Sequence, residues 1–338
     1  MADLTIDDIV KDADTYLPAN TEIIAASVNR MDIALDQHTK PITKVKGLYP
    51  QGAALITNVV QGFAPVWNDM GSVQIDHKIL KNYRHKVNFG FTPDEVQSSY
   101  WAYLYEEGKS VEDMPITKFV VEVMLLPKVV DDIATLSVKG VYNGAALGTF
   151  GNAMNGIEKI LLDLFAGVPA TDHTPFKIPL TALTDTNIVD QVTAFERTIP
   201  SKLKNKIKKI FMSENNKERY IIQYEEQFGA NLLVNKDKAT TRVGNREIVG
   251  LPGMDTDDIF ATVDGNFVRL VDFFDGKPAV TDVQKADYTV KYFMEFWKGY
   301  DFLVNELVLV ANYTDAEYGL GSTVLNQKYY GIDGVTVV

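Results

Sequence analysis

The sequence contains no cysteine among its 338 residues. Disulfides, a thiolate nucleophile, a zinc site with thiolate ligands and an iron–sulfur cluster are therefore excluded. Histidine is scarce as well, and the spacing of His38, His77, His85 and His173 lacks the i, i+4 arrangement that places two zinc ligands on one helix face. The sequence thus predicts a protein without a cofactor.

Positive charge is also in short supply. Lys and Arg together number 33 against 45 Asp and Glu, which gives a formal net charge of -12. Tight nonspecific binding to nucleic acid needs clustered cations, so it is disfavoured, although an acidic protein can lie beside DNA without gripping it. No run approaches the roughly 18 apolar residues of a membrane span, and the acidic N-terminus differs from a secretory signal. We expect a soluble protein made in a cytoplasm.

The most informative segment is Asp113–Gly144, which predicts one long helix. Its apolar residues recur at the three-and-four spacing of a helix that is buried along one face. Asp113 is a candidate N-cap, Pro115 falls in the first turn, and Pro127 in the middle predicts a kink. At about 1.5 Å per residue, the helix would span roughly 30 Å. The predicted buried stripe is Ile116, Phe119, Val120, Val123, Met124, Leu126, Val130, Ile133 and Ala134.

Two alternating segments precede this helix. Residues 72–79 and 83–91 alternate apolar and polar side chains around Leu80–Asn82, which predicts a hairpin with its turn at that point. His77 and His85 share faces with apolar residues, so we expect them to be packed or to face a neighbour. A two-stranded hairpin is marginally stable alone in water. No flanking strand is evident, and a second copy of the chain is therefore one candidate cover.

The next helix has clear boundaries. Thr92, a proline at the first helical position and Glu95 form a capping-box sequence, and Gly108 ends the pattern.

The remainder of the chain predicts a small α/β lobe followed by strands. Residues 185–274 alternate helix and strand, with a buried strand at 208–213 and another at 266–272. Tyr288 to Phe296 alternate, and Phe302 to Val310 read as a continuous apolar central strand. The predicted fold class is α+β.

Catalytic signatures are weak. Asp255, Asp257 and Asp258 supply carboxylates for a hard cation, but the pattern of an EF-hand is not completed, so a solvated turn is the preferred interpretation. A metal-dependent hydrolase or glycosyltransferase built on them stays a distant alternative. The P-loop-like start at Gly151–Gly156 lacks the following Lys-Ser/Thr, and no G-x-S-x-G elbow occurs. We expect a protein that is not an enzyme.

The order of these parts resembles the Hong Kong 97 fold of tailed-phage major capsid proteins. A polar arm, a hairpin, a spine helix, an α/β lobe and returning strands follow one another over nearly the whole chain. Gly244–Asp272 is similar to a strand, turn and strand pattern of that family. Gly71–Glu95, Trp101 and Met114–Lys128 are similar to capsid proteins of phages that infect Bacteroidetes, including crAss-like phages.

The resemblance implies a division of the chain into four parts. Residues 1–54 would be an N-terminal arm and 55–92 the E-loop hairpin. A peripheral P-domain would take 93–183 and 276–338, with the spine helix at 114–138. Residues 184–275 would form the axial A-domain.

The resemblance also implies a function. The chain would assemble with itself into pentamers and hexamers of an icosahedral shell around double-stranded DNA, in the host cytoplasm, without contacting a membrane. Scaffolding protein, portal and decoration proteins would be its further partners. An encapsulin-like nanocompartment, which has the same fold but encloses enzymes, is the alternative.

Charged residues are the candidate contacts between subunits. Cations on the predicted hairpin would meet acids on a neighbour's spine helix, a pairing that fixes register more than it adds affinity. A second basic run, in a turn, is either a solvated edge or a contact with an acidic surface of another copy. The candidates are Lys78, Lys81, Arg84 and Lys86 on the hairpin, Glu122, Asp131 and Asp132 on the spine, and Lys202, Lys204 and Lys206 in the turn.

Overall fold

The chain folds into two mixed β-sheets and a separate two-stranded hairpin, as seen in a computed structural model. One hydrophobic core packs the spine helix against the first sheet and also takes in side chains of the second sheet, which has a further core of its own. Within the described residues, no helix has the length and apolar character needed to cross a membrane. The structure describes residues 6–20, 33–56, 59–71, 73–167, 174–229, 239–272 and 279–332.

The helices alternate with the strands along the chain. Short 3-10 turns lie at Ala34–His38 and Asn305–Leu307. The α-helices outside the spine are Ile6–Ala19 (α1), Pro93–Glu107 (α2), Ile157–Ala166 (α3), Ile188–Thr198 (α4), Glu214–Phe228 (α5) and Thr323–Tyr330 (α6). The strands are Lys40–Ile42 (β1), Leu48–Ile56 (β2), Val73–Lys81 (β3), Tyr83–Phe91 (β4), Phe176–Pro179 (β5), Lys209–Ser213 (β6), Glu247–Leu251 (β7), Phe260–Thr262 (β8), Phe267–Val271 (β9), Ala279–Ala286 (β10), Thr289–Phe302 (β11) and Val308–Asn312 (β12).

The first sheet is organised around β11. This strand pairs with β10 along one side, and with β4 and then β9 along the other. The predicted alternation is confirmed from Val290 to Phe296, where every second side chain is buried, while Tyr288 precedes the strand and is exposed. Helix α2 is confirmed too: the backbone N–H of Thr92 donates to the Glu95 carboxylate, and Gly108 ends the helix in the left-handed region.

The second sheet has the order β5-β12-β8-β6-β7 and carries α4 and α5. An α/β lobe is present, but its strands β5 and β12 come from outside the predicted residues 185–274. The predicted strand at 266–272 is β9, which pairs in the first sheet. The prediction of one strand over Phe302–Val310 is wrong. The chain turns at Leu303 and Val304, whose N–H groups donate to the backbone and side-chain oxygens of Asn266, and it enters the second sheet as β12.

The predicted pairing of residues 72–79 with 83–91 is wrong. Strand β3 pairs with β2 over nine residues, and β4 pairs with β11 instead. Asn82 marks the change of partner, because its N–H donates to the Gly47 carbonyl and its side chain to the Val45 carbonyl, both over 2.6 Å. Two consecutive strands of one extended chain alternate in the same way as two arms of a hairpin. The hairpin therefore starts at Leu48, inside the range that the resemblance assigned to the arm.

The spine helix runs from Ile116 to Lys139 and contains a π-helical segment. Its parts are an α-turn at Ile116–Lys118, the π-helix Phe119–Leu125, and the α-helix Leu126–Lys139. Asp113 does not cap it: that carboxylate accepts a 2.6 Å hydrogen bond from the Ser110 hydroxyl, and the helix begins after Pro115.

The π-helix explains which residues the spine buries. The N–H of Leu126 bonds to the carbonyl of Val121, five residues back, so each such turn takes up an extra residue and moves the buried face. Val121 and Leu125 are buried, whereas the predicted Val123 and Met124 are more than one third exposed. The segment ends just before Pro127, whose ring would clash with the carbonyl four residues earlier in a regular α-helix. The wider turn removes that clash.

We expect Leu125→Ala to destabilise the subunit by about 2–5 kcal/mol, because it empties a packed site. The matched change Met124→Ala should cost less than about 1 kcal/mol, since that side chain is 37% exposed. Urea unfolding of the purified protein measures both. A regular α-helical spine would reverse the order of the two losses.

Candidate functional site

The base of the hairpin is fixed to the body of the subunit. The Lys78 ammonium donates to the carboxylate of Asp301 over 2.6 Å, to the carbonyl of Phe302 over 2.8 Å, and to the side chain of Asn305 over 2.7 Å. The Lys81 ammonium lies 3.7 Å from the centre of the Tyr142 ring, a cation–π contact. These contacts set the direction in which the hairpin leaves the subunit.

The described part of the loop between the two hairpin strands, residues 59–71, is exposed and apolar. Every residue from 59 to 71 is exposed, including Phe63 at 99% and Trp67 at 90%. A hydrogen bond of 2.8 Å from the side chain of Gln61 to the carbonyl of Asn68 connects the two sides of the loop. We call residues 59–71 the hairpin tip.

A groove of about 620 Å³ lies between β4, the second half of the spine helix and the loop around Gly148. Leu147 and Phe150 stand at its edge with 53% and 60% of their surface exposed. The Arg84 guanidinium and the Glu295 carboxylate pair across 2.5 Å on the strand side. We call this the spine groove, and its apolar floor includes Val87, Val129, Ile133, Leu136 and Phe296.

The predicted contact residues fall into three groups. Lys78, Lys81 and Glu122 are engaged inside the subunit, the last by the phenol of Tyr16 in α1. Burial and the Glu122 carboxylate together raise the pKa of that phenol.

The second group lies at the spine groove, where Arg84, Lys86 and Asp132 line one surface. Lys128 bridges Asp131 and Asp132 over 2.9 and 2.8 Å on the exposed side of the helix. The groove therefore has an apolar floor and a rim with charges of both signs.

Lys202, Lys204 and Lys206 are all exposed in the turn that follows α4. Their neighbours in the same run have carboxylate partners: Lys208 lies 3.3 Å from Asp264, and Lys209 lies 3.9 Å from Glu247.

Two of the three aspartates that suggested a cation site bind protein groups instead. Asp255 pairs with Lys139 across 2.5 Å, and Asp257 accepts a hydrogen bond of 3.0 Å from the side chain of Asn216. Burial raises the pKa of the Asp258 carboxyl. Within the described ranges, no group of three His, Asp or Glu side chains is arranged to hold a metal ion.

Sequence reasoning missed a buried ionic network. The Asp36 carboxylate accepts hydrogen bonds of 2.6 Å from both the Lys298 ammonium and the Tyr300 hydroxyl, and the Arg269 guanidinium donates to the Asp36 carbonyl over 2.7 Å. Lys298 has no exposed surface. The sequence did indicate this burial, because Lys298 lies on the same face of β11 as the buried side chains that alternate along the strand.

Of the two histidines expected to be packed or to face a neighbour, His85 is packed. Its ring stacks on Phe296, with the ring centres 5.0 Å apart. His77 lies exposed on β3.

Comparisons with known proteins bear on the fold. Neither a protein-family model nor a curated protein matches this chain. Among solved structures, the capsid of an empty GTA particle is similar with a TM-score of 0.53 and 11% identity, over 85% of this chain and 91% of that one. The chain has the Hong Kong 97-type capsid fold. The satellite phage P4 procapsid (TM-score 0.50, 8% identity, 88% of this chain and 99% of that chain) and the cyanophage A-1(L) capsid (0.50, 11%, 92% and 95%) share it.

At identities of 8–11%, the Hong Kong 97-type likeness concerns the path of the backbone. Few side chains are shared, so the roles of the hairpin tip and the spine groove have to be argued from the residues of this chain.

Proposed function

We propose that this protein is the major capsid protein of a tailed phage, which assembles into pentamers and hexamers of an icosahedral shell around double-stranded DNA. The observation that carries the proposal is the hairpin tip. On a capsid fold, it presents an apolar loop that the single subunit leaves entirely in water. Exposed apolar patches of this kind mark protein–protein contacts.

A second copy of the chain is the partner that we propose for the tip. The spine groove offers an apolar floor and two further exposed apolar side chains, Leu147 and Phe150. Tip and groove are different surfaces of one chain, so contact between them is heterologous and forms rings when the rotation closes. Pentamers and hexamers are such rings.

Charges at the rim of the groove would orient this contact. Arg84 and Lys86 lie on the strand side and Asp132 on the helix side, which lets an incoming loop distinguish the two edges. The net charge of -12 fits a wall along which DNA slides rather than binds. Scaffolding, portal and decoration proteins, and assembly in the host cytoplasm, belong to the same proposal.

We expect the double variant Phe63→Ser, Trp67→Ser to lose the ability to form particles. Its free energy of unfolding should stay within about 0.5 kcal/mol of the wild type, because both side chains are already in water. Negative-stain electron microscopy and sedimentation report assembly, and urea unfolding reports stability. Tyr288→Ser is the control, since it removes another aromatic side chain, 81% exposed, from a turn far along the sequence.

Particles of normal size and yield from the double variant would contradict the role of the tip. The contents of wild-type particles test the rest of the proposal. Nuclease-protected double-stranded DNA is the expected content, whereas a packaged enzyme without DNA would identify a nanocompartment instead.

A further inference from the structure

We propose that a cavity beside β7 binds a small polyphosphate anion. The cavity has a volume of about 440 Å³, within the roughly 300–1,000 Å³ that is usual for small-molecule sites. Lys204, Asn205 and Lys208 line one wall, and Gly244 and Asn245 line the other. This proposal is independent of shell formation, because all of these residues belong to one subunit.

A buried ion pair holds the two walls together. Arg246, 8% exposed, donates from Nε to the carbonyl of Ile207 over 3.1 Å and from Nη2 to the carbonyl of Lys204 over 2.7 Å. Its Nη1 pairs with the Glu196 carboxylate, which is also buried. The backbone that carries Lys204 is therefore fixed from inside the protein, and the lysine side chain is left available.

Gly244 is required for this arrangement. A Cβ atom at that position would collide with the Arg246 guanidinium and the Glu196 carboxylate. The next residue, Asn245, has a φ of 52°, in the left-handed region, and lies on the cavity wall. The turn thus leaves room for the buried ion pair behind the cavity wall.

Charge identifies the ligand class. Lys202, Lys204 and Lys206 have no carboxylate within ion-pair distance among the described residues, in a chain with a net charge of -12. Lys208 does have one, Asp264, but both side chains are more than half exposed, so that pair is weak and readily exchanged. A lysine ammonium is a compact point charge suited to phosphate, and asparagine amides add neutral donors.

The shape of the site favours a small anion over a protein partner. Glu247 is a carboxylate on the lining, with the Lys209 ammonium 3.9 Å away, so positive charge is concentrated at the Lys204 side. An acidic protein surface would engage all the exposed lysines of the turn equally and would not require a concave wall. A polyphosphate would place its charge at Lys204 and Asn245.

Titration calorimetry of the unassembled full chain with inorganic tripolyphosphate, at low salt, tests the site. We expect wild-type binding that weakens at least tenfold in Lys204→Gln, because a charge-assisted contact is lost. Asn245→Gly keeps the backbone conformation and removes one neutral donor, so a loss of roughly threefold is expected. Lys11→Gln, the same charge change on α1, should bind as the wild type does.

Two competitors identify the source of the phosphate. Displacement by a nucleoside triphosphate, and not by duplex DNA, assigns the site to small molecules, whereas displacement by both assigns it also to packaged nucleic acid. Absence of wild-type binding at millimolar tripolyphosphate would overturn the proposal. Equal affinities of Lys204→Gln and Lys11→Gln would do the same. If Lys204→Gln impaired assembly without any effect of the anion, the turn would be a protein contact and not an anion site.

Discussion

Replacing Asp36 with alanine is expected to destabilise the subunit by about 3–5 kcal/mol, the range for breaking a buried ion pair by removing one partner. The carboxylate neutralises Lys298, whose ammonium is 2.6 Å away and fully buried. It also accepts a hydrogen bond from the Tyr300 hydroxyl over the same distance. The variant removes this carboxylate from both groups, which remain in the core.

The loss should depend on pH in a defined direction. Burial lowers the pKa of the Lys298 ammonium, and Asp36 opposes that effect. In the variant, the Lys298 ammonium carries its proton in the unfolded chain, but the core disfavours the charged form, so the folded state is less stable. The deficit relative to the wild type is therefore largest below the folded pKa of Lys298 in the variant. It shrinks as the pH rises to the folded pKa of Lys298 in the wild type, above which both folded proteins hold the lysine neutral.

Urea unfolding of the unassembled subunit measures the loss, and two variants serve as controls. Asp7→Ala breaks the exposed pair with Lys285 and should cost no more than about 1 kcal/mol. Asp36→Leu with Lys298→Met replaces the buried charges with apolar side chains and should recover most of the stability. A similar loss in Asp36→Ala and Asp7→Ala would show that the network contributes little.

The network also bears on how the subunit is organised. Asp36 lies in the short turn Ala34–His38, just before β1, which adds to the edge of the first sheet beside β9. Its partners Lys298 and Tyr300 lie on β11, the central strand. The ion pair therefore joins the N-terminal part of the chain to a strand that follows it by more than 250 residues.

Local patterns in the sequence predicted local structure well. Helix α2 has its capping box and its terminal glycine within one sequence segment, and β11 shows its buried face directly by alternation. The sequence does not show in this way which strands pair with each other. Alternation in residues 73–91 states which side chains share a face, but not whether β3 pairs with β4 or with β2.

The candidate site shows the same limit. Apolar side chains such as Phe63 and Trp67 are usually buried, so the sequence does not indicate that the tip is exposed. The pairing of β2 with β3 places the tip at the end of a hairpin, in water. The π-helix was hidden for another reason: a regular helix period applied across Phe119–Leu125 selects the wrong buried residues. Pro127 was the residue that indicated an irregular helix, and the wider π-helical turn just before it relieves the clash of its ring.

Lowering the pH from 6.5 to 4 is expected to destabilise the wild-type subunit by about 3 kcal/mol more than His85→Gln. Burial lowers the pKa of the His85 imidazole from 6.5 to about 4. Each pKa unit corresponds to about 1.36 kcal/mol. Between these two pH values the unfolded chain binds a proton that the folded chain does not, so stability falls as the pH falls.

The geometry explains why the folded protein keeps this imidazole neutral. The ring is stacked on Phe296, and its Nε2 lies 3.2 Å from the carbonyl of Lys298, which only accepts, so Nε2 carries the hydrogen. Lys298 itself adds positive charge nearby. Glutamine at position 85 offers an N–H to the same carbonyl and does not titrate, so it removes the pH-dependent term while keeping the hydrogen bond.

Urea unfolding from pH 7 to pH 4 distinguishes this term from the titration of carboxylates, which both proteins share. Plots of the free energy of unfolding against pH should have the same slope for the wild type and His85→Gln above pH 6.5, and they should diverge below it. His77→Gln is the matched control, because His77 is exposed on β3 and should leave the divergence intact. Parallel curves for wild type and His85→Gln would mean that the core accepts the charged imidazole, through rearrangement of Phe296 or loss of the bond to Lys298.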